Sequence, residues 1–214
     1  METIRSILLN DKDKKEILSI DLSKSHMSKN FTLTKEEILS TKSMIKPYIK
    51  VGYSLQLLFI KNLGRPIPID YKEIPIEILE FIGEQLNITN VNIEKYFTTE
   101  ITRKRNFQHL VEILGYSKFI ITDEITNIAK ILSMNISSKK QLVLEFLDRL
   151  KELKIIAPAL ATVEEFLYQI MQDTNSNIYK DIVFQIPDKI KLDALLLADD
   201  KGISPFSHIK NIEI

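Results

Sequence analysis

The sequence predicts an all-α fold made of two small helical, helix-turn-helix-like domains in tandem, with orthogonal helix packing. Apolar residues recur at three- and four-residue spacing through most segments, which is the period of an amphipathic helix. With only five glycines the chain has few residues suited to tight turns, and it has no tryptophan. Both features argue against a β-barrel. A hydrophobic content of 44% can supply a core.

The charge balance and the lack of cysteine exclude several kinds of protein and of site. The 214 residues include 29 basic and 29 acidic side chains, so any basic surface must be local rather than global. The absence of cysteine excludes disulfides and thiolate metal sites. No segment has the apolar length of a signal peptide or a membrane span, so we expect no membrane partner and a cytoplasmic location.

Residues 1–30 predict a short helix and an arm that precede the first domain. Asn10 is placed to cap a helix over 11–18. The polar, Ser- and Lys-rich stretch 19–30 predicts a linker. The first helical domain is then expected over 31–118.

The first domain is organised around one apolar helix. Thr34 and Glu37 form a capping box for the helix before it, whose predicted core face holds Ile38, Leu39 and Ile45. Pro47 predicts a break. The segment 49–62 is apolar on nearly every side, which is typical of a buried helix, and Gly64 fits its terminus.

Three more helices complete the first domain. Pro75 suits the first turn of a helix. The stretch 78–97 has helix-turn-helix character, with Thr89 as the cap of its second helix. Residues 99–115 predict a third amphipathic helix.

A composition shift at 117–122 predicts the boundary of a second helical domain over 119–214. Thr162 and Glu165 form a second capping box. Residues 173–177 predict a loop. Helices are expected at about 123–133, 138–153, 163–172 and 188–198.

Basic residues form two groups that could meet DNA phosphates. The first lies in the acid-free run 38–69, and the second lies near the start of the 99–115 helix. The alternative is that both groups are ordinary solvent-exposed charged faces with no binding role. The residues are Lys42, Lys46, Lys50, Lys61 and Arg65 in the first group, and Arg103, Lys104, Arg105, Asn106 and His109 in the second.

Two helices are candidates for base recognition. One is 89–97, with Asn90, Asn92 and Lys95 expected to face outward. The other is the start of 99–115. We favour the second, because Arg and Asn are the side chains that bind guanine and adenine edges through two hydrogen bonds.

Catalytic motifs are absent from the sequence. It contains no phosphate-binding glycine loop, zinc-ligand motif or nucleophile elbow, and its three histidines are scattered. We therefore predict no catalytic residue, no metal site and no cofactor in this chain.

Several motifs nevertheless match a known family in order along the chain. IKVGYSLQL begins at Ile49, NLGRP begins at Asn62, and further matches cover 98–116 and 153–166. The chain resembles the N-terminal region of Tn-three-type (class II, replicative) bacterial transposases. Two departures weaken basic contacts: Ile49-Lys50 stands where the family has Asn-Arg, and Glu164-Glu165 stands where it has Glu-Arg.

The resemblance implies sequence-specific binding of double-stranded DNA at transposon terminal inverted repeats. It also implies that the catalytic, magnesium-dependent DDE-type domain lies outside this chain, and that self-association would occur through the full-length parent. The alternative is an all-helical protein-interaction or assembly module of the transposition complex, with the 138–153 helix as its partner face. An enzyme complete within these residues has very little support.

Overall fold

The computed structural model describes residues 8–89 and 92–185. The predicted all-α class is confirmed, because helices dominate the described residues and the sheet consists of two short strands. The helices are α1 (Asp11–Leu18), α2 (Lys24–Phe31), α3 (Lys35–Ser40), α4 (Pro47–Leu63), α5 (Ile76–Gln85), α6 (Glu94–Thr98), α7 (Glu100–Ile113), α8 (Asp123–Asn135), α9 (Lys139–Glu152) and α10 (Leu160–Gln185), with a 3-10 turn at Tyr71–Glu73. The strands β1 (Ser117–Lys118) and β2 (Ile155–Ile156) are parallel.

The chain divides into two compact units, of which the first ends at Ile170 and the second begins at Met171. All contacts described below lie within the first unit. The predicted boundaries after residues 30 and 118, the tandem arrangement and the orthogonal packing remain predictions. The predicted helix at 188–198 lies outside the described residues.

Helix α4 forms the centre of the first unit. Its residues from Val51 to Ile60 are all buried. Pro47 does not end the preceding helix, because α3 already stops at Ser40. It lies instead in the first turn of α4, where a residue needs no backbone N–H partner. Gly64 ends the helix at φ +64°, as predicted.

The end of α4 also contacts the second half of the sequence. A Cβ atom at Gly64 would lie 2.9 Å from the Cβ of Lys151 in α9. The Gly64 carbonyl accepts a hydrogen bond from the Ala157 N–H at 2.9 Å. The loop after α4 is thus held directly by residues that follow β2.

The predicted linker at 19–30 is wrong, because α2 lies within it. Ser23 caps this helix, and Met27 and Phe31 are buried one turn apart. The Phe31 ring meets the Phe59 ring edge-on, with 6.0 Å between their centroids. Burial of these two side chains stabilises a helix whose own sequence is polar.

Only one of the two predicted capping boxes forms. Thr34 and Glu37 cap α3 reciprocally, as predicted. Helix α10 begins at Leu160, so Thr162 lies inside it, and the predicted loop at 173–177 is also helical. Glu164, which precedes the predicted capping residue Glu165, accepts a hydrogen bond from the Leu9 N–H at 3.1 Å.

Core positions predicted for α3 are only partly correct. Ile38 packs against the main core, whereas Leu39 and Ile45 are exposed. Helix α3 has only six residues and a turn follows it, so the helical spacing does not continue to Ile45. The apolar face of α9 contributes to the core, since Leu142, Val143, Phe146 and Leu150 are buried.

Candidate nucleic-acid interface

Helix α7 packs antiparallel to α4. The Gln56 Nε2 atom donates to the Arg103 carbonyl at 3.2 Å, and the Tyr53 and His109 rings lie 6.4 Å apart. Residue numbers therefore rise along α4 as they fall along α7. The buried side of α7 holds Asn106 and Leu110.

Tyr96 of α6 joins these two helices. Its hydroxyl donates to Gln56 Oε1 at 3.0 Å and accepts from Asn106 Nδ2 at 3.1 Å. Its ring occupies the space above Gly52, where a Cβ atom would lie 2.3 Å from the Tyr96 Cγ atom. Desolvation in this buried position raises the pKa of Tyr96 to about 12. The network holds α7 at one rotation about its axis.

This network explains part of the family-like motif in α4. Gly52 and Gln56 are four residues apart, so they lie on the same face of the helix. One makes room for the Tyr96 ring and the other pairs with its hydroxyl. The sequence signal was the glycine within an otherwise apolar helix, but the sequence did not indicate which ring it would accommodate.

The outward side of α7 presents Lys104, Arg105 and His109 to solvent. Lys104 Nζ pairs with the Glu100 carboxylate at 2.7 Å. The hydrogen bond from Lys104 lowers the pKa of Glu100. Arg103 is half-buried, with its guanidinium carbon 5.3 Å from the centre of the Phe97 ring.

A second group of cations lies at the start of α4. Lys42 and Lys46 are exposed and Lys50 is half-buried. Because α4 and α7 are antiparallel, these lysines lie towards the C-terminal end of α7. Gln56 lies level with Arg103 of α7, and Lys46 is ten residues before Gln56. The lysines at the start of α4 are therefore about 15 Å from Arg103 along the helix axis.

Two of the residues predicted to contact DNA phosphates bind acceptor groups of the protein itself. Lys61 Nζ pairs with Glu37 at 2.7 Å. Arg65 donates to the carbonyls of Ile17 and Leu18 at 3.4 and 3.0 Å, where it satisfies the C-terminal end of α1. Burial lowers the pKa of Arg65.

The asparagines predicted to face DNA also have intramolecular partners. Asn106 is buried and donates to Tyr96. Asn92 accepts a hydrogen bond from the Lys95 N–H at 3.3 Å, and it is exposed. Lys95 is exposed, but α6 spans only Glu94–Thr98, and Asn90 lies outside the described residues. Of the two predicted reading helices, α7 is therefore the one with an extended outward surface.

A groove of about 420 Å³ runs beside α7. Apolar residues of the loop after α4 form one side, and α7 forms the other. Sequence reasoning did not identify Gln108 or Lys118 in this region; Gln108 lies one turn after Lys104, whereas nothing marked Lys118. The lining residues are Gln56, Pro66, Ile67, Pro68, Ile69, Arg103, Lys104, Phe107, Gln108 and Lys118.

The described part of the chain lacks the features of two other kinds of site. Among residues 8–89 and 92–185 there is no group of three or more His, Asp or Glu side chains arranged to hold a metal ion. Within the same ranges, no helix combines the length and the apolar character that a membrane span requires.

Comparison with known proteins places the chain in a family. The chain belongs to the family described as Domain of unknown function (DUF4158), which matches residues 8–170. This match ends at the same residue as the first compact unit.

The chain is also similar to the transposase for transposon Tn501 of Pseudomonas aeruginosa. Identity is 20% over 196 residues, which cover 90% of this chain but only 20% of that transposase. The chain thus spans about a fifth of the length of this relative. The predicted relation to transposases is confirmed, whereas DNA binding by this chain stays a prediction.

Proposed function

We propose that the chain binds double-stranded DNA at the terminal inverted repeats of a transposon, as the N-terminal part of a transposase. The observation that carries this proposal is the outward face of α7, which holds Lys104, Arg105 and His109 on a helix fixed by Tyr96. The similarity to the Tn501 transposase supplies the biological setting. Strand cleavage and its magnesium requirement would belong to the remainder of the transposase.

The geometry suits a helix that enters the major groove. Helix α7 has 14 residues, a length of about 21 Å, and the groove admits one helix at a width of about 12 Å. Arg105 can donate two hydrogen bonds to a guanine edge. Lys104 and the lysines at the start of α4 can contact phosphates on the flanking backbone.

Selection from a randomised duplex library tests this proposal with the full 214-residue chain. We expect one enriched sequence that matches the ends of a mobile element. Its affinity should fall steeply as salt rises, because neutralised phosphates release counterions. An unenriched library, together with no mobility shift at low salt, would reject DNA binding.

A protein-interaction module is the second candidate. The groove beside α7 favours it, because its Pro66–Ile69 side is apolar and Ile69 is exposed. The predicted partner face on α9 does not favour it, since four of its apolar residues, Leu142, Val143, Phe146 and Leu150, are buried. Absence of DNA retardation at low salt would support this candidate over the first.

A further inference from the structure

We propose that Ile101, Arg105 and Gln108 form a base-reading line along α7, which recognises thymine, guanine and adenine respectively. This inference rests on the proposed DNA binding and deepens it. Neither Ile101 nor Gln108 was a predicted site residue.

The three side chains lie on the centre line of the exposed face. Successive helical residues are rotated by about 100°, so Ile101, Arg105 and Gln108 fall within an arc of about 60°. That arc is opposite Leu110, which is fully buried. All three residues are exposed.

Lys104 and His109 flank this line on opposite sides. The same rotation places Lys104 about 60° to one side of Ile101 and His109 about 80° to the other. A helix inserted in the major groove would direct its centre line to the base edges and its flanks to the two phosphate walls. Arg105 is then the cation that reaches a base.

Ile101 is the least expected residue on a basic surface. It is 84% exposed in the first turn of α7 and lies beside Lys104 and Arg105. An apolar side chain at the bottom of a major groove contacts the thymine C5-methyl group, which no other base carries. Contact with that methyl group would remove the exposed Ile101 side chain from water when DNA binds.

Gln108 supplies the third contact. A glutamine carboxamide both donates and accepts, which matches the N7 acceptor and N6 donor of adenine. Ile101 and Gln108 are seven residues apart, a rise of about 10 Å, or about three base-pair steps. The three recognised bases should therefore lie within about four consecutive base pairs.

A carboxylate lies at each end of the base-reading line. Glu100 pairs with Lys104 at its start. Glu112 is exposed one turn beyond Gln108 and falls near the same centre line. A carboxylate repels the phosphate backbone, so the contacts that α7 itself makes end before Glu112.

Methyl deletion in the DNA tests the assignment of Ile101. Each thymine of the library-selected site is replaced in turn by uracil, which lacks only the C5-methyl group. At one thymine we expect the wild-type chain to lose about fourfold in affinity, the value of one buried methyl group. Ile101→Ala should bind the thymine and uracil duplexes equally well.

Ile113→Ala is the matched control. Ile113 is also an exposed isoleucine of α7, at 56%, but it lies about 120° from Ile101 around the helix. This variant should keep the full difference between thymine and uracil. Circular dichroism of both variants checks that the fold is retained.

Two base analogues test the other contacts. Replacing one guanine by 7-deazaguanine should weaken binding by the wild-type chain but not by Arg105→Ala. Replacing one adenine by 7-deazaadenine should weaken the wild-type chain but not Gln108→Ala. In each case the sensitivity of one base depends on one side chain.

The outcomes separate this inference from the proposed function. Selective DNA binding in which Ile101→Ala keeps the uracil effect overturns the base-reading line and leaves DNA binding intact. A selected site without a thymine, or with its sensitive bases more than about four base pairs apart, also overturns it. Failure of the wild-type chain to bind any duplex overturns both.

Discussion

The inner and outer faces of α7 carry polar residues of similar types in different surroundings. On the inner face, Asn106 donates to Tyr96, which in turn donates to Gln56. On the outer face, Arg105 and His109 are exposed to solvent. A buried amide must be paired to offset its desolvation, so the inner residues determine position, whereas the outer ones are available for a ligand.

The comparison shows that sequence neighbours can have separate roles. Arg105 and Asn106 are adjacent in the chain, and both are residue types that bind base edges. The packing of α7 on α4 places one outside and the other inside. Substitutions on the inner face should therefore change stability first, and those on the outer face should change DNA affinity alone.

The largest effect is expected from Gly52→Ala on the inner side. The added Cβ would lie 2.3 Å from Tyr96 Cγ, and the ring has no flexible end that could move aside. We expect the free energy of unfolding to fall by about 3 kcal/mol, measured by urea denaturation. DNA affinity should fall with it, because α7 loses its fixed rotation.

Ser54→Ala is the control two residues along α4. The Ser54 hydroxyl is buried without a hydrogen-bond partner among the described residues. Its removal should be neutral or stabilise the fold by about 1 kcal/mol. If Gly52→Ala proved as stable as the wild type, the Tyr96 ring could not be the element that fixes α7.

The next effect is expected on the outer face. The double change Lys104→Ala and Arg105→Ala should weaken binding to the selected duplex by about a hundredfold and reduce the salt slope by about one, because Lys104 contacts a phosphate whereas Arg105 contacts a base. The unfolding midpoint should stay unchanged. Fluorescence anisotropy at several salt concentrations measures both quantities.

Lys61→Ala provides the comparison for charge alone. Lys61 is paired with Glu37 away from α7, so its removal should leave the DNA affinity within about twofold. An equal loss of affinity in Lys61→Ala and in the double variant would mean that binding depends on total charge and not on the α7 face.

A smaller stability effect is expected at alkaline pH. The pKa of Tyr96 is raised from 10.0 to about 12, so the unfolded chain loses the phenol proton first. Its contribution is complete below pH 10 and disappears as the pH rises to 12, a loss of about 2 to 3 kcal/mol. Urea titrations across this range should show the loss.

Tyr96→Phe isolates this contribution from other titrating groups. The variant should be about 1 kcal/mol less stable at neutral pH, because Gln56 and Asn106 lose their shared partner. Its stability should then fall less steeply between pH 10 and 12 than that of the wild type. Identical slopes would exclude Tyr96 as the group responsible.

The smallest effect is expected from Glu100→Gln at the start of the outer face. This change removes a carboxylate near the phosphates and releases Lys104 from its pair. DNA affinity at low salt should rise by about twofold, and the gain should disappear at high salt. A decrease in affinity would show that Glu100 itself contacts the DNA.

Much of the fold follows from local sequence signals. The helical class and the buried centre of α4 follow from apolar periodicity. The Gly64 terminus and the Thr34–Glu37 capping box were also predictable. In each case, residues within one or two helical turns of each other decide the outcome.

The failed predictions depended on distant contacts. Helix α2 was missed because its two buried residues, Met27 and Phe31, gain their stability from a core that forms elsewhere in the chain. Helix α10 begins before Thr162, while the nearby Glu164 meets Leu9 and Lys14. Local propensity gives no information on such partners.

The sequence by itself determined which residue types are present near the candidate site and the helices on which they lie. It identified the cations of the acid-free run and of α7 as one candidate set. The tertiary structure alone decided that Lys61 and Arg65 meet acceptors from distant parts of the chain while Arg105 faces solvent. The physical reason is that the role of a charge depends on the acceptors that folding brings to it, and these come from distant parts of the chain.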